Sequence, residues 1–381
     1  MKIWDAIVVG AGPAGCAAAY DLARAGREVL LLDRAEFPRQ KACAGGLTTK
    51  TVQALRYPVD PVIRQRLKSI RIERDGDHST VLRRSSDYCF MTVRKELDDY
   101  CFRQTVAAGA QFQRIGSISA IAEDDSGVTV SIDGEQFHAR YLIGADGVHS
   151  RVRQLTHREN DKWFWRAFAL EANVPMPDAS SQELVFDFGC IRDGYGWIFP
   201  KGDHINIGLY SYAPDEKIDR ARLADYIAAR YGDVTAEDVI GQYAGFGAAQ
   251  HTISATKIFL VGDAGGFVDP LTGEGIYFAL VSGQAAAEAI LSALHSKVPA
   301  HVSFAQNTAK LRADLAITTS GARWFYGNLD RGYRFLSMPL LRGMAVRAFA
   351  LGANLSSLAM RVRKLAAVRS YGRSDRDSLL N

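Results

Sequence analysis

The stretch Asp5-Ala-Ile-Val-Val-Gly10-Ala-Gly12-Pro13-Ala14-Gly15 decides the fold. Its apolar half reads as a short buried strand, and its glycines turn that strand into a helix from Cys16 to about Ala25. Glu28-Val-Leu-Leu-Leu-Asp33 follows as a second buried strand that ends on an acid. Gly10 permits the tight turn, Gly12 lets backbone approach a pyrophosphate, and Gly15 lets the helix pack close to the strand. The helix N-terminus offers free N–H groups and a positive dipole end to phosphates. Asp33 stands where an acid accepts hydrogen bonds from an adenosine ribose. A lone glycine fingerprint also occurs in ordinary strand–turn–helix units. Here strand, fingerprint, helix, second strand and terminal acid stand in order within about thirty residues, which predicts a dinucleotide site.

The totals set wide bounds. At 381 residues the chain is long enough for two connected domains. Its 48% hydrophobic and 23% charged residues are ordinary for a globular protein. A net charge of +4 is too small to imply nucleic acid. Five cysteines, at 16, 43, 89, 101 and 190, show no CxxC or metal-like spacing, so no metal is expected and a reduced, cytoplasmic compartment fits best. The fingerprint accounts for the apolar N-terminus, which argues against an export signal. No run of eighteen uncharged apolar residues predicts a bilayer span.

Beyond Asp33, the loop Arg34-Ala-Glu-Phe-Pro-Arg-Gln-Lys41-Ala-Cys43-Ala44-Gly45-Gly46-Leu47 is rich in cations and glycine, as where backbone runs close to something flat or phosphorylated. A surface loop with an inert thiol is the plain alternative. Strands are expected at 68–73 and within 81–91, and a helix from Arg94 to about Ala108. Asp133-Gly134 predicts a hairpin between 128–132 and 136–143. Its second strand runs into Gly144-Ala-Asp146-Gly147-Val-His-Ser150-Arg-Val-Arg153, a second glycine loop at a strand end. Alternating strands at 168–174, 183–188, 197–199 and 205–209 predict an inserted sheet, and helices are expected at 218–231 and 235–240. In that sheet Tyr195-Gly-Trp197-Ile-Phe199-Pro200 offers either an aromatic-lined pocket or plain aromatic core. A third strand–loop–helix edge is Thr256-Lys-Ile-Phe-Leu-Val261 with Gly262-Asp263-Ala-Gly265-Gly266 and Asp269-Pro270-Leu-Thr-Gly273-Glu-Gly275-Ile276. Asp263 suits the hydroxyls of a flavin nucleotide, and the helix from Gly275 aims its positive end at the flavin ring. From His301 the chain is helical. Its segment 335–369 carries apolar residues at helical spacing with Arg342, Arg347, Arg361, Arg363, Lys364 and Arg369 and no acid. The last ten residues read as disordered.

The three loops together resemble the fingerprints of the glutathione-reductase-type FAD-binding fold, in the subclass shared with aromatic hydroxylases. Within it the chain is similar to the geranylgeranyl reductase family, through Lys41-Ala-Cys43-Ala44-Gly45-Gly46, the YxWxFP motif at Tyr195, and the segment from Gly262 to Gly275. Family members more often place glycine directly after the cysteine, where this chain has Ala44. The resemblance covers roughly residues 3–295 and implies an α/β Rossmann-like FAD domain (1–75, 94–165, 250–300). It also implies an inserted antiparallel-sheet substrate domain (76–93, 166–249) and a C-terminal helical tail (301–381).

FAD contacts are then expected at Gly10, Gly12, Pro13, Ala14, Gly15, Asp33, Arg34, Lys41, Cys43, Ala44, Gly45, Arg94, Asp146, Gly147, Gly262, Asp263, Pro270, Gly273, Gly275 and Ile276. Cys43, Tyr195 and Trp197 are the catalytic candidates, with Cys43 and Tyr195 as proton donors. Tyr195, Trp197 and Phe199 would meet the substrate. The implied activity is saturation of isoprenoid double bonds on a lipid, quinone or chlorophyll-like molecule, with electrons from NADPH or a ferredoxin-like donor. A flavin monooxygenase and a membrane-docked electron carrier are the alternatives; a carrier would cycle without forming a saturated or oxygenated product. No GxWxIP-type motif stands near Trp197, against a halogenase. A hydrophobic small molecule is the expected partner, a monomer the default state, and 335–369 a peripheral contact on the inner membrane face.

Overall fold

The apolar runs around the fingerprint become the centre of a parallel sheet. The computed structural model describes residues 2–338 apart from 77, 158–160, 254 and 297, together with Leu351. Strand Ile3–Val9 lies between Val29–Asp33 and Glu135–Gly144, parallel to both, with Val9 level with Leu32 on one side and Gly144 on the other. Gln111–Arg114 extends the sheet beyond Val29–Asp33, and Ile258–Leu260 extends it beyond Glu135–Gly144, again in parallel. The hairpin Ile118–Glu123/Val128–Ile132 completes it on the lower half of Glu135–Gly144. As the Asp-Gly pair predicts, Asp133 and Gly134 both take positive φ at the tight turn that follows.

Helix Pro13–Arg24 packs against the long helix Ile276–His295. The contact is so close that a Cβ on Gly283 would lie 2.2 Å from the Ala14 carbonyl oxygen. The long helix is apolar enough to cross a bilayer, yet Phe278, Ala286, Ala287, Ala289 and Ile290 are buried in the core. Three strands therefore end at one edge, at Val9, Asp33 and Gly144. There a doubly wound sheet opens its ligand crevice.

The second sheet runs in the order Glu237–Phe246, Trp165–Pro175, His204–Ser211, Gly194–Pro200, Leu184–Phe188, Ser69–Arg74, His78–Arg83. Every pair is antiparallel except Leu184–Phe188 with Ser69–Arg74, which is parallel. All seven residues of Gly194–Pro200 are buried, because both faces of that strand are covered. Ile198 faces Leu223 and Ile227 of helix Arg220–Tyr231. Tyr195, Trp197 and Phe199 turn to the opposite face and join Phe186, Tyr210 and Phe325. The period of two in YxWxF is thus the alternation of a two-sided strand. A small antiparallel sheet of Gly46–Thr48, Cys89–Met91 and Gln65–Leu67 sits between the two larger ones.

Two expectations change. Residues 235–240, expected as helix, form none: Thr235 and Ala236 lie outside any element, and 237–240 open strand Glu237–Phe246. Thr-Ala-Glu-Asp looks like a helix start, but the backbone finds partners along the edge of Trp165–Pro175, and Val239, Ile240, Tyr243 and Phe246 favour strand. The division at 75/76 falls inside the hairpin of Ser69–Arg74 and His78–Arg83, so the inserted sheet begins earlier in the chain. Helices Ala300–Gly327 and Leu329–Ser337 bear out the helical reading after His301. The basic part of 335–369 and the terminal ten residues lie outside the described residues.

Candidate functional site

Two connected cavities occupy the crevice edge. The larger, about 670 Å³, is lined by Gly10, Gly12, Pro13, Ala14, Asp33, Arg34, Asp146, Gly147, Gly262 and Asp263. The smaller, about 190 Å³, lies between the 41–46 loop, the aromatic face of the second sheet and the 272–276 turn. Pro13, Lys41, Ala42, Gln242, Asp263 and Ala279 border both. Together they make one elongated cleft across the domain junction.

The larger cavity fits an adenine dinucleotide. Gly10 has φ +103 and no room for a side chain, since a Cβ would meet the Ala145 carbonyl oxygen at 2.3 Å. Gly12 is different: a Cβ there would meet only Arg39 Nη2, at 3.4 Å, so its missing side chain opens space in the cleft. Gly15 lines neither cavity. Its Cβ would sit 1.7 Å from the Gly10 carbonyl oxygen, so the residue serves helix–strand packing. Asp33 accepts from the N–H groups of Ala11 (2.7 Å) and Ala35 (2.8 Å), which fixes the carboxylate at the cleft wall and leaves it further lone pairs. Asp146 is drawn inward, accepting from Ser150 Oγ at 2.5 Å and from the N–H groups of Arg151 (2.6 Å) and Val152 (3.1 Å). It shapes the second loop by holding Ser150, the N-cap of helix Arg151–Thr156, together with the first two N–H groups of that helix.

At the smaller cavity the glycine pair of the cysteine loop has a steric cause. A Cβ on Gly45 would lie 2.2 Å from the Thr92 carbonyl oxygen, and one on Gly46 3.0 Å from the Phe199 ring. Buried Lys201 pins the loop from behind, donating to the carbonyl oxygens of Ala44 and, at 2.6 Å, Thr92. Burial pushes its ammonium down to about 8. Glu171 holds the loop from the sheet side, accepting from the Cys43 N–H at 2.8 Å, and burial raises its carboxyl above the usual range. Cys43 Sγ is half-buried at the cavity wall, 3.4 Å from the Gly45 N–H and beside the Arg94 guanidinium. Arg94 is clamped by Asp98 at 2.8 and 2.9 Å. Burial alone would raise Asp98, but Arg94 and Arg39 hold it below the usual carboxylate range.

Opposite the loop stand Phe186, Tyr195, Trp197, Phe199 and Tyr210. Trp197 lines the cavity and is also core: it is buried, and its indole N–H donates to Asn206 Oδ1 at 2.8 Å. The hydroxyl of Tyr195 donates to the Thr272 carbonyl oxygen. Tyr210 does the same to Pro270 at 3.1 Å, and Tyr326 to Leu271 at 2.7 Å. Burial raises all three phenols further above their ordinary range. The Tyr195 hydroxyl proton is thus engaged with the third loop, to which its side chain is tied. Pro270 lines neither cavity and contributes the carbonyl of that tether. Gly273, Gly275 and Ile276 do line the smaller one, where helix Ile276–His295 begins.

Sequence reading missed Glu171, Lys201 and Tyr210. Glu171 had a signal, a single carboxylate inside the apolar run Phe168-Ala-Leu-Glu171-Ala. Lys201 directly follows the aromatic motif. Only the fold shows that either reaches the cysteine loop.

A nucleotide-sized crevice at the sheet edge, joined to an aromatic cavity, defines an FAD-dependent oxidoreductase. The family model of an FAD binding domain matches residues 4–299, and the chain belongs to that family. Its relatives are narrower in kind, and place it in the geranylgeranyl reductase family. It is 30% identical to geranylgeranyl diphosphate reductase of Rhodobacter capsulatus, over 80% of this chain and 79% of the relative. It is 32% identical to menaquinone reductase of Mycolicibacterium smegmatis, over 76% of each. In fold it resembles a geranylgeranyl bacteriochlorophyll reductase-like protein of Thermoplasma acidophilum, with TM-score 0.78 and 20% identity over 94% of this chain and 99% of the other.

Proposed function

We propose that this FAD-dependent oxidoreductase saturates carbon–carbon double bonds of an isoprenoid chain carried on a lipid, quinone or chlorophyll-like head. The observation that carries the reading is the smaller cavity. It joins the nucleotide cleft at Lys41 and Asp263, and an apolar aromatic wall faces a single thiol across it. FAD bound along the cleft supplies the two electrons of such a reduction.

The chain's residues do the rest. Phe186, Trp197 and Phe199 give an alkene an apolar, water-poor surface, which orients it and keeps side reactions out. Alkene reduction also needs a proton at the second carbon. Cys43 is the candidate donor on this wall, since the Tyr195 proton is engaged elsewhere. Glu171 and Lys201 fix where its backbone sits. Electrons would come from NADPH or a ferredoxin-like protein, in a reducing cytoplasmic setting that suits the free cysteines.

The test is anaerobic incubation of chemically reduced holoenzyme with menaquinone, geranylgeranyl diphosphate and a digeranylgeranylglycerol phospholipid, read by mass spectrometry. A product carrying two added hydrogens per double bond is expected from one of them. A parallel incubation in air that gives oxygenated products, with none saturated without air, would show the monooxygenase instead. Reoxidation without any product would show an electron carrier.

A further inference from the structure

The C-terminal helices have two unlike sides. Inward, Phe325, Tyr326, Leu329, Tyr333 and Leu336 join the aromatic cluster that contains Tyr195 and Trp197. Outward, Trp324 is 48% exposed, Phe335 40% and Met338 53%. The rings of Trp324 and Phe335 meet edge-on at 6.4 Å although they sit on successive helices, so they form one patch. Single exposed apolar residues need no explanation, but a joined aromatic pair does.

The charge around the patch is one-sided. Arg323, Arg331 and Arg334 are exposed beside it, while Asp330 is engaged by Arg74. The sequence that follows, 339–369, continues with six further cations and no acid. Exposed tryptophan and phenylalanine ringed by arginine is the chemistry of a segment lying in a lipid interface, where the rings enter the headgroup boundary and the cations meet anionic lipid.

We propose that the face formed by Trp324, Phe335 and Met338, with Arg323, Arg331 and Arg334, docks on an anionic lipid bilayer. Its inner side is a wall of the aromatic core, so docking brings the substrate cavity to within the thickness of one helix layer of the lipid. That purpose rests on the isoprenoid reading, but the docking is measured without substrate, so either can fail alone.

The experiment is flotation of FAD-loaded full-length protein with vesicles of phosphatidylcholine alone or mixed with phosphatidylglycerol, at low and high salt. Wild type is expected to float with the mixed vesicles at low salt and to be released by high salt. Trp324→Ser/Phe335→Ser and Arg331→Glu/Arg334→Glu should each bind at least roughly tenfold more weakly while keeping their flavin. Trp324→Phe supplies a second readout that leaves the surface intact. It should still float, yet lose the quenching of tryptophan emission by brominated lipid seen in wild type. Wild-type protein that stays soluble at low salt overturns the proposal. So do double variants that float as wild type does, since residues 339–381 would then carry the binding alone, and so does quenching unchanged in Trp324→Phe.

Discussion

Replacing Lys201 by methionine tests whether the cysteine loop is held by a buried amine near its point of titration. The unfolded chain keeps this lysine's proton up to about pH 10.5, whereas burial lowers the folded value to about 8. Between those values unfolding takes up a proton, so stability rises with pH in that window and the charged amine costs stability below it. Between pH 7 and 10 the gain from this one group is roughly 2–3 kcal/mol. Methionine removes that gain. It also leaves the carbonyl oxygens of Ala44 and Thr92 without a donor, at roughly 1–3 kcal/mol. At pH 7 the relieved charge and the lost donor oppose each other, and the two proteins should be close in stability. At pH 10 wild type should lead by roughly 2–3 kcal/mol. Urea unfolding of holo-protein at both pH values measures this, and the difference between the proteins removes the titration of other groups. An equal rise with pH in Lys201→Met would refute the reasoning.

Two glycines separate cofactor binding from folding. Gly12→Leu should give folded, colourless protein, because its side chain enters the cleft with only Arg39 near its Cβ, whereas Gly10→Ala should yield little soluble protein, since its Cβ strikes backbone; flavin absorbance against circular dichroism reads both. Trp197→Ala should lose about 3–5 kcal/mol in thermal or urea unfolding as a buried ring disappears and Asn206 loses its donor. Trp197→Phe should keep the flavin and most stability while turnover falls. Full turnover in Trp197→Phe would show that the ring does not position substrate.

The fingerprint, both later loops and the hairpin at Asp133-Gly134 were legible because each is local: a few adjacent residues fix both backbone and purpose. The catalytic candidates were less so. Tyr195 looks the same in sequence whether its hydroxyl faces an alkene or a carbonyl, and only the approach of residues 270–272 from another part of the chain decides. Glu171 and Lys201 were hidden for a related reason, since their partner loop lies far away in the chain. The strand at 237–246 was misread because pairing with Trp165–Pro175 outweighs a helix-like start.

Three phenols from three places, Tyr195, Tyr210 and Tyr326, each hold one of the consecutive carbonyls of Pro270, Leu271 and Thr272. The turn beside the smaller cavity is therefore slung from the second sheet and the C-terminal helix at once. Such a suspension limits how the enzyme can be redesigned. Side chains that line the cavity outside the buried aromatic core, such as Ala169 and Tyr243, are open to exchange for a longer, shorter or bulkier chain. The tyrosines are not, because trading one for a new contact would slacken the turn that leads into helix Ile276–His295.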